Sequence, residues 1–148
     1  MQYITHNDEN IDTNGTCYQG SLKASYSQLT VLFGQPHASK EHKVDAEWKI
    51  AWEDGVVATI YNWKNGVSYN GWREGTPTEL ITDWEIGGKS YGREVHDSHA
   101  AWLMSGRATF PHVERIKSMV ENYEREAVVQ NHNPYWGEEE LTNDQANK

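Results

Sequence analysis

Three histidines, His96, His99 and His112, have the clearest spacing for metal binding in this chain. His96 and His99 are three residues apart, so on a helix they would share one side, and zinc is commonly bound by imidazole nitrogens in this arrangement. No motif fixes a third ligand, and the HExxH pattern is absent. His99 also shares an apolar stripe with Val95 and Trp102, which favours a core histidine. We therefore expect no metal and no other cofactor, and keep a metal-dependent hydrolase as an alternative.

The segment Gly87-Gly88-Lys89-Ser90 follows an apolar strand pattern and has a local likeness to a phosphate-binding loop. The loop of nucleotide hydrolases needs a glycine five residues before Gly88, and that position is Asp83. A simpler anion nest, in which backbone amides and Lys89 face a phosphate, stays open. The favoured interpretation is a glycine pair that ends a strand.

Residues 64–79 contain three glycines and a proline, and we expect them to form one long loop without regular structure. Tyrosine, tryptophan and arginine, the side-chain types that dominate binding hot spots, occur together in it. The alternative is a loop folded over the sheet edge, with Trp72 as a plug. The predicted binding site, for a protein pocket or a stacked phosphorylated ligand, consists of Tyr69, Trp72, Arg73, Lys89 and Ser90.

Motifs for covalent catalysis are not recognisable in the sequence, which lacks Ser-His-Asp and cysteine-nucleophile signatures. Cys17 falls in a predicted strand whose basic neighbour is the distant Lys23, so a reactive thiolate is not expected. Carboxylates are numerous, but sequence alone cannot pair them as an acid and a base. We expect a binding protein rather than an enzyme.

The composition narrows the class of partner. The chain has 148 residues and a formal net charge of −9, which argues against binding to a nucleic-acid backbone. Such a charge suits a basic partner, although it also serves solubility. The single cysteine fits a reducing compartment, and the absence of a signal peptide or a long apolar run predicts a cytoplasmic protein without a membrane contact.

A strand and a helix are predicted in the first third of the chain. The strand covers residues 17–24, with Leu22 and Ala24 on one face. The helix begins at Ser25, because Ser25 and Gln28 have the spacing of a capping box, and Gly34 with Pro36 ends it. Its apolar stripe consists of Tyr26, Leu29, Leu32 and Phe33.

Residues 44–63 carry the strongest pattern, a strand with alternating apolar residues followed by a hairpin at Asp54-Gly55. A two-residue turn would pair Trp52 with Val57 and separate the apolar residues of the two strands. A three-residue loop with Gly55 in the left-handed conformation pairs Trp52 with Val56. The apolar residues of both strands then share one face of the sheet, because a shift of one residue moves every side chain of a strand to the opposite face. We predict the second register and a face, covered by the first helix, of Trp48, Ile50, Trp52, Val56, Ala58 and Ile60.

Three further elements are predicted. A strand over residues 80–86 has Leu80, Thr82, Trp84 and Ile86 on one face and ends at Gly87-Gly88. A helix over residues 93–105 carries Val95, His99, Trp102 and Leu103. Pro111 suits the first turn of a last helix, whose predicted core residues are Val113, Ile116, Val120, Tyr123 and Ala127.

Together the elements predict an α+β fold of order β-α-β-β-β-α-α, a small antiparallel sheet with helices packed on one face. Residues 15–130 form a single domain. The polar residues 1–14 are expected to be a flexible N-terminal arm, and residues 131–148 an acidic C-terminal tail.

Several segments together resemble a group of small accessory proteins of tailed bacteriophages. The segments are Tyr26-x-x-Leu29, Phe33-Gly34-x-Pro36, Ala46-Glu47-Trp48, Glu53-Asp54-Gly55-x-Val57-Ala58-Thr59-Ile60-Tyr61-x-Trp63 and Trp84-x-Ile86-Gly87-Gly88-x-Ser90. The resemblance as a whole covers residues 16–90. In that group a shorter helix follows the glycine pair directly, whereas residues 91–110 intervene here. The resemblance implies a phage origin and an accessory role in the host cytoplasm, without an activity or a site.

These observations lead to a functional hypothesis with two alternatives. We expect a non-enzymatic phage protein that inhibits or sequesters a host or defence protein. The first alternative is a sponge for a small anionic, nucleotide-like ligand. The second is the hydrolase on His96, His99 and His112. The sequence leaves the oligomeric state open, a homo-oligomer included.

Overall fold

A computed structural model describes residues 2–89 and 110–131. The described strands form one antiparallel sheet of spatial order β1-β3-β4-β5-β2. Their bounds are β1 Tyr3–Thr5, β2 Thr16–Lys23, β3 Glu47–Trp52, β4 Val57–Tyr61 and β5 Asp83–Lys89. The predicted helix over residues 93–105 and the predicted tail after Asn131 lie outside the described residues.

The helical segments are α1 Tyr26–Phe33, α2 Val67–Glu74, a 3-10 turn Thr78–Leu80 and α3 Pro111–Asn131. Sheet and helices confirm the α+β class. Within residues 2–89 and 110–131, no helix combines the length and apolarity needed to cross a bilayer.

The predicted start of α1 is confirmed. The Gln28 amide donates to the Ser25 hydroxyl at 3.1 Å, and the Ser25 amide donates to the Gln28 side chain at 2.7 Å. The two bonds satisfy amides that the helix itself leaves unpaired. Leu29 and Phe33 are buried, as the apolar stripe predicts.

The predicted hairpin register is also confirmed. The Trp52 amide donates to the Val56 carbonyl at 2.9 Å, and Trp48 lies opposite Ile60. Gly55 has a φ of 90°, the left-handed conformation that the three-residue loop requires. Local turn chemistry and side-chain alternation were thus sufficient to determine this pairing.

One face of the sheet carries the core. Trp48 is fully buried, its ring is 5.2 Å from that of Trp84, and its Nε1 donates to the Gly34 carbonyl at 2.7 Å. α1 and α3 both cover this face, because their apolar residues join the same cluster. α3 contributes Val113, Ile116 and Val120, three of its predicted core residues. The side of the sheet that carries Tyr18, Tyr61 and Glu85 is called the open face below.

The N-terminal segment differs from the prediction of a flexible arm. Residues 3–5 form β1, an edge strand that pairs with β3, with Tyr3 opposite Trp52. The Tyr3 hydroxyl donates to the Leu32 carbonyl at 2.7 Å, and its ring contacts Phe33 edge-on. Three residues are too few to show the alternation of apolar and polar residues that marks a strand, and the surrounding sequence is polar. β1 can therefore be recognised only from its pairing with β3.

His6 joins the end of β1 to two other segments. Its Nδ1 accepts the Lys49 amide at 3.2 Å, and its Nε2 donates to the Gln35 carbonyl at 2.9 Å, so the ring is neutral. The pKa of His6 is lowered from its ordinary value, mainly by burial and in addition by the charges of His37 and Lys49. The hydrogen bond to the Gln35 carbonyl acts in the opposite direction and raises this pKa, but it does not outweigh the burial.

The lowered pKa of His6 predicts a loss of stability in mild acid. Since the unfolded chain takes up the proton first, the free energy of unfolding should decrease as the pH falls from about 6.5 towards the folded-state pKa. Urea denaturation between pH 8 and pH 5 measures this slope. His6→Gln should show a shallower slope than the wild type, and an equal slope would contradict the assignment.

The last strand is shifted relative to its prediction. Leu80 belongs to the 3-10 turn and is 68% exposed, and β5 runs on through Gly87 and Gly88, which pair with β2 and β4 on both sides. The glycine pair therefore does not end the strand. A Cβ atom at Gly88 would collide with the His112 ring of α3, so glycine is required by this close approach.

Gly88→Ala should destabilise the protein by about 1–3 kcal/mol, the usual cost of an overpacked core. The measurement is urea denaturation in the wild-type and His112→Ala backgrounds. The added methyl group should cost less when the imidazole is absent, because the two groups compete for one space. An equal cost in both backgrounds would contradict the contact between β5 and α3.

Candidate functional site

The segment predicted as a structureless loop is helical instead. α2 contains two short helical turns that meet at Gly71, whose φ of 84° and ψ of 167° interrupt the helix. The glycines that predicted a loop have two other roles. Gly71 allows the break in the helix, and Gly75 lies so close to the Gly66 backbone that a Cβ atom there would collide with it. Periodicity could not reveal two turns this short.

A buried asparagine holds the start of this segment. Asn62 is fully buried at the end of β4, and its Oδ1 accepts the amides of Asp45 and Ala46 at 2.7 and 3.1 Å. Its Nδ2 donates to Asp45 Oδ1 at 2.9 Å and to Asn65 Oδ1 at 3.1 Å. Every polar atom of the Asn62 side chain is thus engaged, which fixes the chain where it leaves the sheet.

Asp45 extends this network to α2. Its Oδ2 accepts the Ser68 amide at 3.1 Å, so a carboxylate remote in sequence caps the first turn of the helix. A Cβ at Gly66 would collide with the same carboxylate. Asn65 Nδ2 donates to the Asp83 carbonyl at 3.0 Å and ties the segment to the start of β5.

The predicted binding residues of this segment are exposed. Trp72 is 86% exposed and Tyr69 41%, and Arg73 is also exposed. Trp72 therefore does not plug the sheet edge, which was the alternative. The Lys64 ammonium lies 5.7 Å from the centre of the Tyr69 ring and 5.8 Å from the centre of the Trp63 ring. Sequence reasoning included neither Lys64 nor Trp63 in the predicted site. Lys64 thus bridges the exposed rings of Tyr69 and Trp63.

The backbone of Lys89 lies far from the start of this segment. Asn65 contacts Asp83 at the start of β5, and Lys89 is the last residue of β5, so Asp83 and Lys89 are about 20 Å apart at the usual rise per residue. Gly87 and Gly88 pair within the ladder, which argues against the alternative of an anion nest at this point. Ser90 lies outside the described residues.

Of the three histidines proposed as metal ligands, the structure describes only His112. His112 is buried in the first turn of α3, against Gly88, and His96 and His99 lie outside the described residues. Among the residues that the structure does describe, no group of three or more histidine, cysteine or acidic side chains is arranged to hold a metal ion.

The open face carries a second group of aromatic residues. A groove of about 420 Å³ is lined by Tyr18, Tyr61, Trp63 and Glu85. Burial first, and then the carboxylates of Glu85 and Glu47, raise the pKa of Tyr61 to about 12. The sequence offers a signal for this groove, since Tyr61 alternates with the core residue Ile60, but the neighbours of Tyr61 on β2 and β5 depend on the order of the strands.

Comparison with known proteins adds no assignment: the sequence matches no protein-family model, and no curated protein matches it. The exposed surface of α2 and the groove of the open face are therefore the basis for inferring a function.

Proposed function

We propose that this chain is a non-enzymatic binding protein that docks on another protein through the α2 surface, defined as Tyr69, Trp72 and Arg73. The supporting observation is the side chain of Trp72, which is 86% exposed on a segment whose start is anchored by the hydrogen bonds of Asn62 and Asp45. Large exposed apolar side chains of this type are frequent interface anchors, and an anchored backbone reduces the ordering that binding requires.

A phage accessory role is part of the proposal and rests on the resemblance of residues 16–90. The partner would be a host or defence protein of a bacterium, which the acidic chain inhibits or sequesters. The net charge of −9 supports a basic partner, because opposite charges speed association. The nucleotide-sponge alternative has less support, since Lys89 lies at the opposite end of β5 from the point where Asn65 contacts that strand. The hydrolase alternative depends on His96 and His99, which lie outside the described residues.

The first experiment is a comparative pull-down from bacterial lysate with three immobilised proteins: wild type, Trp72→Ala and Val31→Ala. Val31 is a matched control, because it is 64% exposed on α1. A protein retained by the wild type and by Val31→Ala, but not by Trp72→Ala, is the expected partner. Equal retention by all three would contradict the role of the α2 surface.

With the purified partner, Trp72→Ala should weaken binding by about thirtyfold or more, since an anchor contributes about 2 kcal/mol or more. Its melting temperature should stay close to that of the wild type, because an exposed side chain supports little of the fold. Titration calorimetry and thermal melts separate the two effects. A large drop in melting temperature with unchanged affinity would instead identify Trp72 as a structural residue.

A further inference from the structure

Among the described residues, three aromatic side chains and one carboxylate line the groove of the open face. The rings of Tyr61 and Trp63 meet nearly at right angles, with their centres 6.3 Å apart. Tyr18 lies on the edge strand β2 and is 58% exposed. Glu85 lies directly opposite Tyr61 on β5 and is the only formally charged residue among the described residues that line the groove. A cavity with these walls is apolar along its sides and negative at one point.

A hydrogen bond from β2 reaches the carboxylate of Glu85. The Ser21 hydroxyl donates to Glu85 Oε2 at 3.2 Å and lies 3.0 Å from the Tyr18 hydroxyl. Tyr18, Ser21 and Glu85 are therefore connected across β2 and β5. Tyr61 has a second carboxylate beside it, because Glu47 lies opposite it on β3. The negative potential around Tyr61 agrees with its raised pKa.

Aromatic rings in this region already accept cations from the chain itself. The ammonium groups of Lys43 and Lys64 lie 5.5 and 5.8 Å from the centre of the Trp63 ring. Neither lysine is among the described residues that line the groove, which are Tyr18, Tyr61, Trp63 and Glu85. Ring faces and a carboxylate attract the same charge, and apolar walls suit the methylene stem of a long basic side chain.

We propose that this groove binds a lysine or arginine side chain of a partner protein, with the cationic head at Glu85 and the stem against Tyr61 and Trp63. The described residues that line this groove do not include Tyr69, Trp72 or Arg73, so either site can fail its test without the other. The occupant follows from charge complementarity: the described lining residues carry the negative charge of Glu85, and the chain as a whole carries a formal charge of −9.

The test is a titration of the full chain, labelled with ¹⁵N, with N-acetyl-lysine methylamide and its arginine counterpart. Saturable shifts of the Trp63 indole N–H signal, assigned through a Trp63→Phe variant, are expected with both cations. The matched ligand N-acetyl-norleucine methylamide keeps the stem but lacks the charge, and it should bind at least tenfold more weakly. Equal shifts with norleucine, or no saturable shift with either cation, would overturn the proposal.

Two variants locate the cationic head. Glu85→Gln should weaken lysine binding at least fivefold, whereas Glu121→Gln, the same change at an exposed position on α3, should leave it unchanged. Equal effects of the two variants would show only general attraction to an acidic protein and would overturn the site. A Trp63 signal that shifts when the protein alone is diluted would identify a second copy of the chain as the occupant, which also contradicts the proposal.

Discussion

Replacement of Trp48 by alanine should reduce the free energy of unfolding by about 3–5 kcal/mol, the usual cost of truncating a buried aromatic side chain. Trp48 is fully buried, and its ring contacts those of Trp84 and Tyr26 at 5.2 and 5.9 Å between centres. Truncation would leave a cavity between the sheet and α1, and would also leave the Gly34 carbonyl without its donor. Urea denaturation followed by circular dichroism measures the loss without relying on tryptophan fluorescence.

Two other variants separate the contributions to this loss. Trp48→Phe keeps most of the apolar area and removes the indole N–H, so it should cost about 1–2 kcal/mol beyond the effect of its smaller ring. Trp72→Ala removes an equally large side chain from an exposed position, and its effect should stay within about 0.5 kcal/mol. If Trp48→Ala and Trp72→Ala were equally harmful, the core face of the sheet would have been wrongly assigned.

Replacement of Asn62 by alanine should cost about 3 kcal/mol, because the amides of Asp45 and Ala46 would lose their acceptor in a buried place. The Asp45 carboxylate would lose a donor as well, which should loosen the cap it forms on Ser68. Chemical denaturation measures the global loss. Limited trypsin digestion should report the local loosening of α2, because cleavage after Lys64 and Arg73 should become faster.

Asn70→Ala is the matched control for this prediction. Asn70 lies in α2 and donates to the carbonyls of Lys64 and Gly66 at 2.8 and 3.1 Å, but its side chain is exposed. Water can replace exposed hydrogen bonds, so this variant should cost less than about 1 kcal/mol. If the Asn62 and Asn70 variants were equally stable, the buried network would not be what holds α2.

The sequence was sufficient to predict features that depend on near neighbours. The capping box at Ser25, the alternation through β3 and the three-residue hairpin loop at Gly55 are each set by residues within one turn or one strand. Proline at the start of α3 belongs to the same class. In each case the backbone preferences and the burial pattern favour the same structure, so tertiary contacts had nothing to override.

The candidate sites were predicted less completely. Sequence reasoning selected Tyr69, Trp72 and Arg73, because their residue types are typical of interfaces, and the structure shows them exposed. It grouped them with Lys89, which lies at the far end of β5 from the contact between Asn65 and Asp83. It missed the groove of the open face. That site needs Tyr18 from β2 beside Tyr61 from β4, and β5 lies between these two strands.

Only the tertiary structure decided the remaining features, because each depends on residues far apart in the chain. β1 exists through its pairing with β3, and α2 begins where Asp45 caps Ser68. Glycine has no side chain to show a face, so the sequence predicts a strand end at Gly88, yet β5 continues through it because β2 and β4 pair with it on both sides. Polar, short or glycine-rich segments carry little local preference, and their conformation is therefore set by the partners that the fold brings to them.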